Sequence, residues 1–390
     1  MSDTTLAVDH LELLRERRSA KWRIYPPDVL PLPVAEMDYA LAPAIREALH
    51  EAVSRSDTGY GFAGTELGEA LAGFASDRWA WIIDPAAVLP VADVGVGCVE
   101  LLRVLCRPGD ALVVNTPVYP PFFHWAAETG LELVQVPLLH DPAAADVASG
   151  AWRLDLAGLE AAFEAGARTY LLCNPHNPVG RVHSPDELAA VALLAARYGA
   201  RVIADEIHAP LVLAGSSFTP FLTVPGGDEV GVSVVSASKA FNLAGLKCAQ
   251  VVTASPAMAA AIEGIPEDVR WRVGHFGILA SLAAYRDGGG WLDALLSTLG
   301  QRHEQLQRLL TDRLPHLRCQ RAEATFLAWV DCRAVGPGRE PAERFLERGR
   351  LALYAGPDFG DPGSGWVRVN VATSEDILDE AVTRMVTALE

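Results

Sequence analysis

The segment LAPAIREALHEAVSR (41–55) sets Ile45, Leu49 and Val53 at four-residue steps behind Pro43, the pattern of an amphipathic helix with proline in its first turn. From about residue 88 the pattern alternates. VLPVADVG reads as a strand and GCVELLRVLC as a helix ended by the turn RPGD; ALVVNTP is a strand, PFFHWAAETG a helix, and LELVQVPL a strand. TYLLCNP follows, then SPDELAAVALLAARYG, which opens with Ser184 and Glu187 at capping-box spacing and closes on Gly199. RVIADE (201–206) and GVSVVSAS (231–238) are short runs apolar at nearly every position, as expected of strands covered on both faces. Strand and helix in alternation predict an α/β fold with a mostly parallel sheet between helical layers.

After about residue 285 the pattern changes. A long helix (WLDALLSTLGQRHEQLQRLLTDRL) precedes the strand-like TFLAWVDCR and GWVRVNVA and a closing helix. The expected division is an N-terminal segment (1–40) that joins a smaller α+β domain (285–390), with a large domain (41–284) between them.

Ligands in parallel sheets sit beyond the carboxyl ends of the strands. That rule selects Asn174 to Gly180, Asp205 to His208 and Ser236 to Lys239, each directly after a predicted strand. A fourth stretch, VGVGCVE (94–100), reads as a glycine loop feeding a helix N-terminus, a ready anion site. The two Asn-Pro pairs of CNPHNPVG restrict the backbone and fix their asparagines. An amine (Lys239), a carboxylate (Asp205), a fixed amide and an anion cradle together describe a pocket for pyridoxal phosphate, in which the carboxylate keeps the ring nitrogen protonated.

The sequence resembles the fold-type I pyridoxal-phosphate enzymes of the aminotransferase superfamily, in particular the cystathionine β-lyase branch of MalY/PatB type. The likeness covers nearly the whole chain. It rests on LPVAEMDYA (32–40), GYGFAG (59–64), NTPVYPPF (115–122), CNPHNPVGR (173–181), ADEIHAPLV (204–212), SASKAFNLAGLKCA (236–249), TFLAWVD (325–331) and VRVN (367–370). It implies a seven-stranded, mostly parallel sheet, pyridoxal 5′-phosphate as cofactor, and the following roles. Lys239 forms the Schiff base and moves the Cα proton, and Asp205 pairs with the pyridinium nitrogen. Asn177 and His208 contact the phenolic oxygen, and Tyr119 stacks on the ring. Ser236, the Gly97-Cys98 backbone and Lys247 hold the phosphate, with Tyr60 from a neighbouring subunit. Arg368 takes the substrate α-carboxylate, a task suited to the guanidinium fork; Asp38 and Tyr60 lie on the substrate side.

Three positions depart from the branch pattern. Lys247 stands where many relatives of the wider superfamily carry arginine, and Pro33 and Phe326 stand where tryptophan and tyrosine are expected. The expected reaction is α,β-elimination from L-cystathionine or another L-cysteine S-conjugate, giving a thiol, pyruvate and ammonia. Its rivals are transamination, a decarboxylating or oxidatively deaminating reaction in the same pocket, and a non-catalytic regulatory role on the same fold.

Composition narrows the partners. The 390 residues carry 32 basic and 49 acidic side chains, a formal charge of −17. Such a surface repels nucleic acid and anionic lipid, leaving a small amino acid as the expected partner, in a homodimer with shared sites. The six cysteines lack CxxC and zinc spacing, so no metal is expected. MSDTTLAVDH lacks the basic and apolar regions of a signal peptide, and no apolar stretch approaches membrane-spanning length, which predicts a cytoplasmic protein.

Overall fold

The computed structural model describes residues 6–141, 151–336 and 340–390. Seven strands build the large sheet: β1 (Val88–Val91), β2 (Ala111–Val114), β3 (Glu132–Gln135), β4 (Thr169–Cys173), β5 (Arg201–Asp205), β6 (Gly231–Val235) and β7 (Ala249–Val252). Their order across the sheet is β1-β7-β6-β5-β4-β2-β3. The pairs β6-β5, β5-β4, β4-β2 and β2-β3 are parallel, whereas β7 runs antiparallel to both β6 and β1. The sheet is therefore mostly parallel, as the sequence pattern and the resemblance lead one to expect.

Alternation along these strands feeds two apolar layers. Leu171, Ile203 and Val232 join one cluster with Val91, Cys98 and Leu101. Leu172 and Ala204 join a larger cluster that continues into Leu327, Val367 and Val369 near the C-terminus. Burial on both faces explains why β4, β5 and β6 read as unbroken apolar runs. Strand β7 escaped the sequence reading because Gln250 interrupts its apolar pattern. That amide is fully buried and accepts the Tyr285 hydroxyl at 2.8 Å, so the strand hides a polar group without leaving it unpaired.

Two other local differences have clear causes. The stretch VGVGCVE is the start of a helix (Val94–Leu105), because Asp93 caps it and accepts the Val96 N–H at 2.8 Å. Gly97 packs there against the sheet, where an added Cβ would meet Val91 and Val234 methyls at 3.1 and 3.2 Å. In the helix Pro43–Ser54, Ile45 is fully buried but Val53 is 62% exposed, so the predicted apolar face is only partly covered by this chain. The capping box of Pro185–Tyr198 forms as expected, with Ser184 and Glu187 exchanging both bonds.

Beyond the 25-residue helix Gly289–Arg313 lies an antiparallel sheet of β8 (Arg318–Cys319), β9 (Leu327–Asp331), β10 (Tyr354–Ala355) and β11 (Trp366–Asn370), ordered β8-β9-β11-β10. The helix Glu375–Leu389 follows it. Near the start of the chain, Leu30–Pro31 pairs in parallel with Leu351–Ala352, which ties the N-terminal segment to this C-terminal layer. Among the described residues no helix is long and apolar enough to cross a membrane.

Candidate active site

Strands β4, β5 and β6 are neighbours, so the residues that follow them share one rim. A cavity of ≈ 290 Å³ opens there, bordered by Asp93, Tyr119, Asn177, Asp205, His208, Lys239 and Lys247, with Ala35, Val94, Gly95, Trp125, Ile207 and Ser238 completing much of its wall.

Asp205 ends β5 and is 3% exposed; its Oδ1 accepts only the Ile207 N–H, at 3.2 Å. Burial pushes its carboxyl up to about 7, against the pull of that N–H and of Lys239. Lys239 meets the opposite pressure. Loss of hydration, with the Arg368 charge nearby, lowers its ammonium to about 8, and Glu36 and Asp205 only partly resist. Its Nζ donates to the Ala35 carbonyl at 3.0 Å. His208 is buried, and desolvation together with Lys239 and Arg368 lowers it to about 3, so the ring is neutral at pH 7. Its Nδ1 has no hydrogen-bond partner among the described residues.

Arg368, in the middle of β11, is 1% exposed. Its Nη1 donates to Asn177 Oδ1 at 3.0 Å and its Nη2 to the Pro33 carbonyl at 2.8 Å, while the rings of Tyr354 and Phe359 lie 4.7 and 5.1 Å from its guanidinium. Nε is buried and has no partner among the described residues, a donor open to an incoming acceptor. Burial brings the guanidinium down to about 10, so it keeps its charge at pH 7. Tyr119 borders the cavity with its ring edge-on to Phe122 and Trp125, and burial lifts its hydroxyl to about 12.

The remaining predicted residues are placed differently. Ser236 is buried beside the rim; its hydroxyl donates to the Cys248 carbonyl at 2.7 Å and accepts the Ser238 N–H at 3.0 Å. Gly97 and Cys98 lie a turn too deep in the helix to border the cavity, and Cys98 is fully buried; the open first turn is Asp93 to Gly95. Lys247 borders the cavity and pairs with Asp93 at 2.8 Å. Tyr60 is 87% exposed, its ring 6.5 Å from that of Trp271 and away from this chain's own cavity. Asp38 does not border the cavity. It forms a fully buried ion pair with Lys21 at 2.7 Å and accepts the Trp22 indole N–H at 3.3 Å.

The segment beside Asp38 shapes the site through its backbone. Asn370 donates to the Val34 and Glu36 carbonyls, and Asn242 binds both the N–H and the carbonyl of Met37 at 2.9 Å. The carbonyls of Pro33 and Ala35 are thereby aimed at Arg368 and Lys239. Sequence reasoning missed Asp93, Trp125, Asn242 and Asn370. The one available signal was Asp93 standing directly before a helical start, the position of a cap.

The model of the aminotransferase class I and II family matches residues 27–385. The chain belongs to that family. A Mycobacterium leprae protein provisionally named cystathionine beta-lyase is 45% identical to this family member over 401 residues, covering 97% of this chain and 96% of the relative. The cystathionine beta-lyase of Corynebacterium glutamicum is 32% identical, covering 97% and 99%. A crystal structure from Corynebacterium diphtheriae, provisionally named a PLP-dependent beta-cystathionase, superposes with a TM-score of 0.92 at 36% identity, covering 98% of this chain and 99% of that one. The residues present suit the cofactor of such relatives: an amine of lowered proton affinity, a buried acid, and buried nitrogens of His208 and Arg368 without a partner among the described residues.

Proposed function

We propose that this chain is a pyridoxal-phosphate-dependent carbon–sulfur lyase that cleaves L-cystathionine or another L-cysteine S-conjugate to a thiol, pyruvate and ammonia. The observation that carries this reading is Lys239, held near neutrality on the wall of a cavity that also holds Asp205 and adjoins Arg368. Pyridoxal 5′-phosphate, when bound, supplies an aldehyde and an electron-accepting ring.

Lys239 Nζ would be the amine that holds the aldehyde and the base that takes the proton from the substrate Cα. Asp205 holds a proton on the ring nitrogen. Asn177 and His208 would contact the phenolic oxygen, and Tyr119 would lie against the ring. Lys247, Ser236 and the backbone of Val94 and Gly95 would hold the phosphate, in place of the expected Gly97-Cys98 pair, which does not border the cavity. Arg368 would orient the substrate α-carboxylate, using the Nε donor that has no partner among the described residues. Asp38 supports the segment Pro33–Glu36 through Lys21 and leaves the substrate to others.

We further propose a cytoplasmic homodimer in which Tyr60 completes the neighbour's site, and the division of the chain into 1–40, 41–284 and 285–390. Exposed Val53, Tyr60, Phe62 and Trp271 support the dimer, because large apolar side chains left in water mark a covered face.

Incubation with L-cystathionine tests the reaction. Pyruvate and thiol in equal amounts, lost in Lys239→Ala, are expected; turnover that starts only when a keto acid is added would replace this reading by transamination.

A further inference from the structure

Asp93 lines the cavity beside Lys247, on the side proposed above for the phosphate, and has no part of its own in those roles. Its two oxygens divide the local donors. Oδ1 takes the Val96 N–H at 2.8 Å, and Oδ2 takes Lys247 Nζ at 2.8 Å. Both are donors of the kind a phosphate takes: an amide in the first turn of a helix and the ammonium beside it. Gly95 keeps this turn open, since a Cβ there would lie 3.0 Å from the Trp125 ring and 3.3 Å from Asp93 Oδ1. The field of Asp93 also reaches inward, where it helps to raise Tyr119 and Cys98. A phosphate dianion placed among these groups meets a carboxylate that competes for its donors and repels it.

We propose that Asp93 is a built-in stand-in for the phosphate. Its carboxylate claims the Val96 N–H and the Lys247 ammonium, must give them up to a bound phosphate, and leaves the cofactor held less tightly than the same cradle would hold it uncharged. This rests on the pyridoxal-phosphate reading above. It makes cofactor exchange a property of one side chain that the sequence motif does not feature.

The test titrates cofactor-stripped protein with pyridoxal phosphate and, in parallel, with pyridoxal, following bound chromophore by absorbance. Asp93→Asn and Asp93→Ser each keep a capping acceptor while removing the charge. Both are expected to bind pyridoxal phosphate about tenfold tighter or more, the scale of one partly exposed like-charge contact, with pyridoxal affinity unchanged. Equal or weaker binding of pyridoxal phosphate by both variants would overturn the proposal, as would an equal gain for pyridoxal. A crystal structure of the loaded, unaltered protein tests it without substitution: Asp93 turned from Lys247 supports the stand-in, and an intact Asp93–Lys247 pair beside bound phosphate removes it. If the unaltered protein fails to take up pyridoxal phosphate at all, and borohydride leaves Lys239 unmodified, the cofactor reading itself has failed.

Discussion

Lys239 and Asp205 share one cavity, and burial moves their proton affinities towards each other, to about 8 and about 7. For a lysine this matters chemically, because only the neutral amine attacks an aldehyde. The rate at which stripped protein captures added pyridoxal phosphate should therefore rise with pH through about 8 and level off above it, measured by stopped-flow absorbance. Arg368 disfavours the ammonium, so Arg368→Gln should shift that midpoint to higher pH as well as raise the KM for substrate. A midpoint that stays in place would show that desolvation alone sets the amine. Asp205→Asn should keep the cavity's shape while losing the acid that protonates the ring nitrogen. The expected outcome is a fall in kcat of about a hundredfold or more with cofactor still bound, which separates it from a folding defect.

At the level of elements, the segment Pro33–Met37 is held from three directions: Asn370 of β11, Asn242 beyond β6, and the Lys21–Asp38 pair. Both charges of that pair are out of water, so removing one strands the other. Lys21→Met should lower stability by about 3–5 kcal/mol in denaturant unfolding. Asn242→Ala should raise KM more than it lowers stability, because its amide orients the backbone whose carbonyls face Lys239 and Arg368. The capping box at Ser184 is the contrasting case, a local device far from chemistry. Ser184→Ala should reduce stability by about 1 kcal/mol and leave turnover unchanged, as assayed by melting and steady-state kinetics.

For the whole molecule, the aromatic loop 59–64 and Trp271 face outward, while the site they are proposed to serve belongs to another copy. Phe62→Asp with Trp271→Ser should shift sedimentation from dimer to monomer and weaken cofactor retention along with it, since Tyr60 would leave its neighbour's phosphate. A monomeric unaltered protein in the ultracentrifuge would discard that arrangement.

The layered α/β architecture was legible along the chain because burial on both faces leaves its mark on nearly every residue of β4, β5 and β6, exposed Arg201 excepted, and because helix caps such as Ser184 act within one turn. Lys239, Asp205 and Asn177 were legible too, as polar residues set where apolar strands stop. What the sequence could not reveal depends on contacts between distant segments. Strand β7 is recognisable only once Tyr285 satisfies Gln250, and Asp38 stands off the cavity in a buried pair with Lys21. The same holds for Asp93, whose carboxylate faces Lys247 across 154 positions of chain. Periodicity and capping are short-range effects written into neighbouring residues, whereas the pairing of buried charges is decided by which surfaces the packed layers bring together.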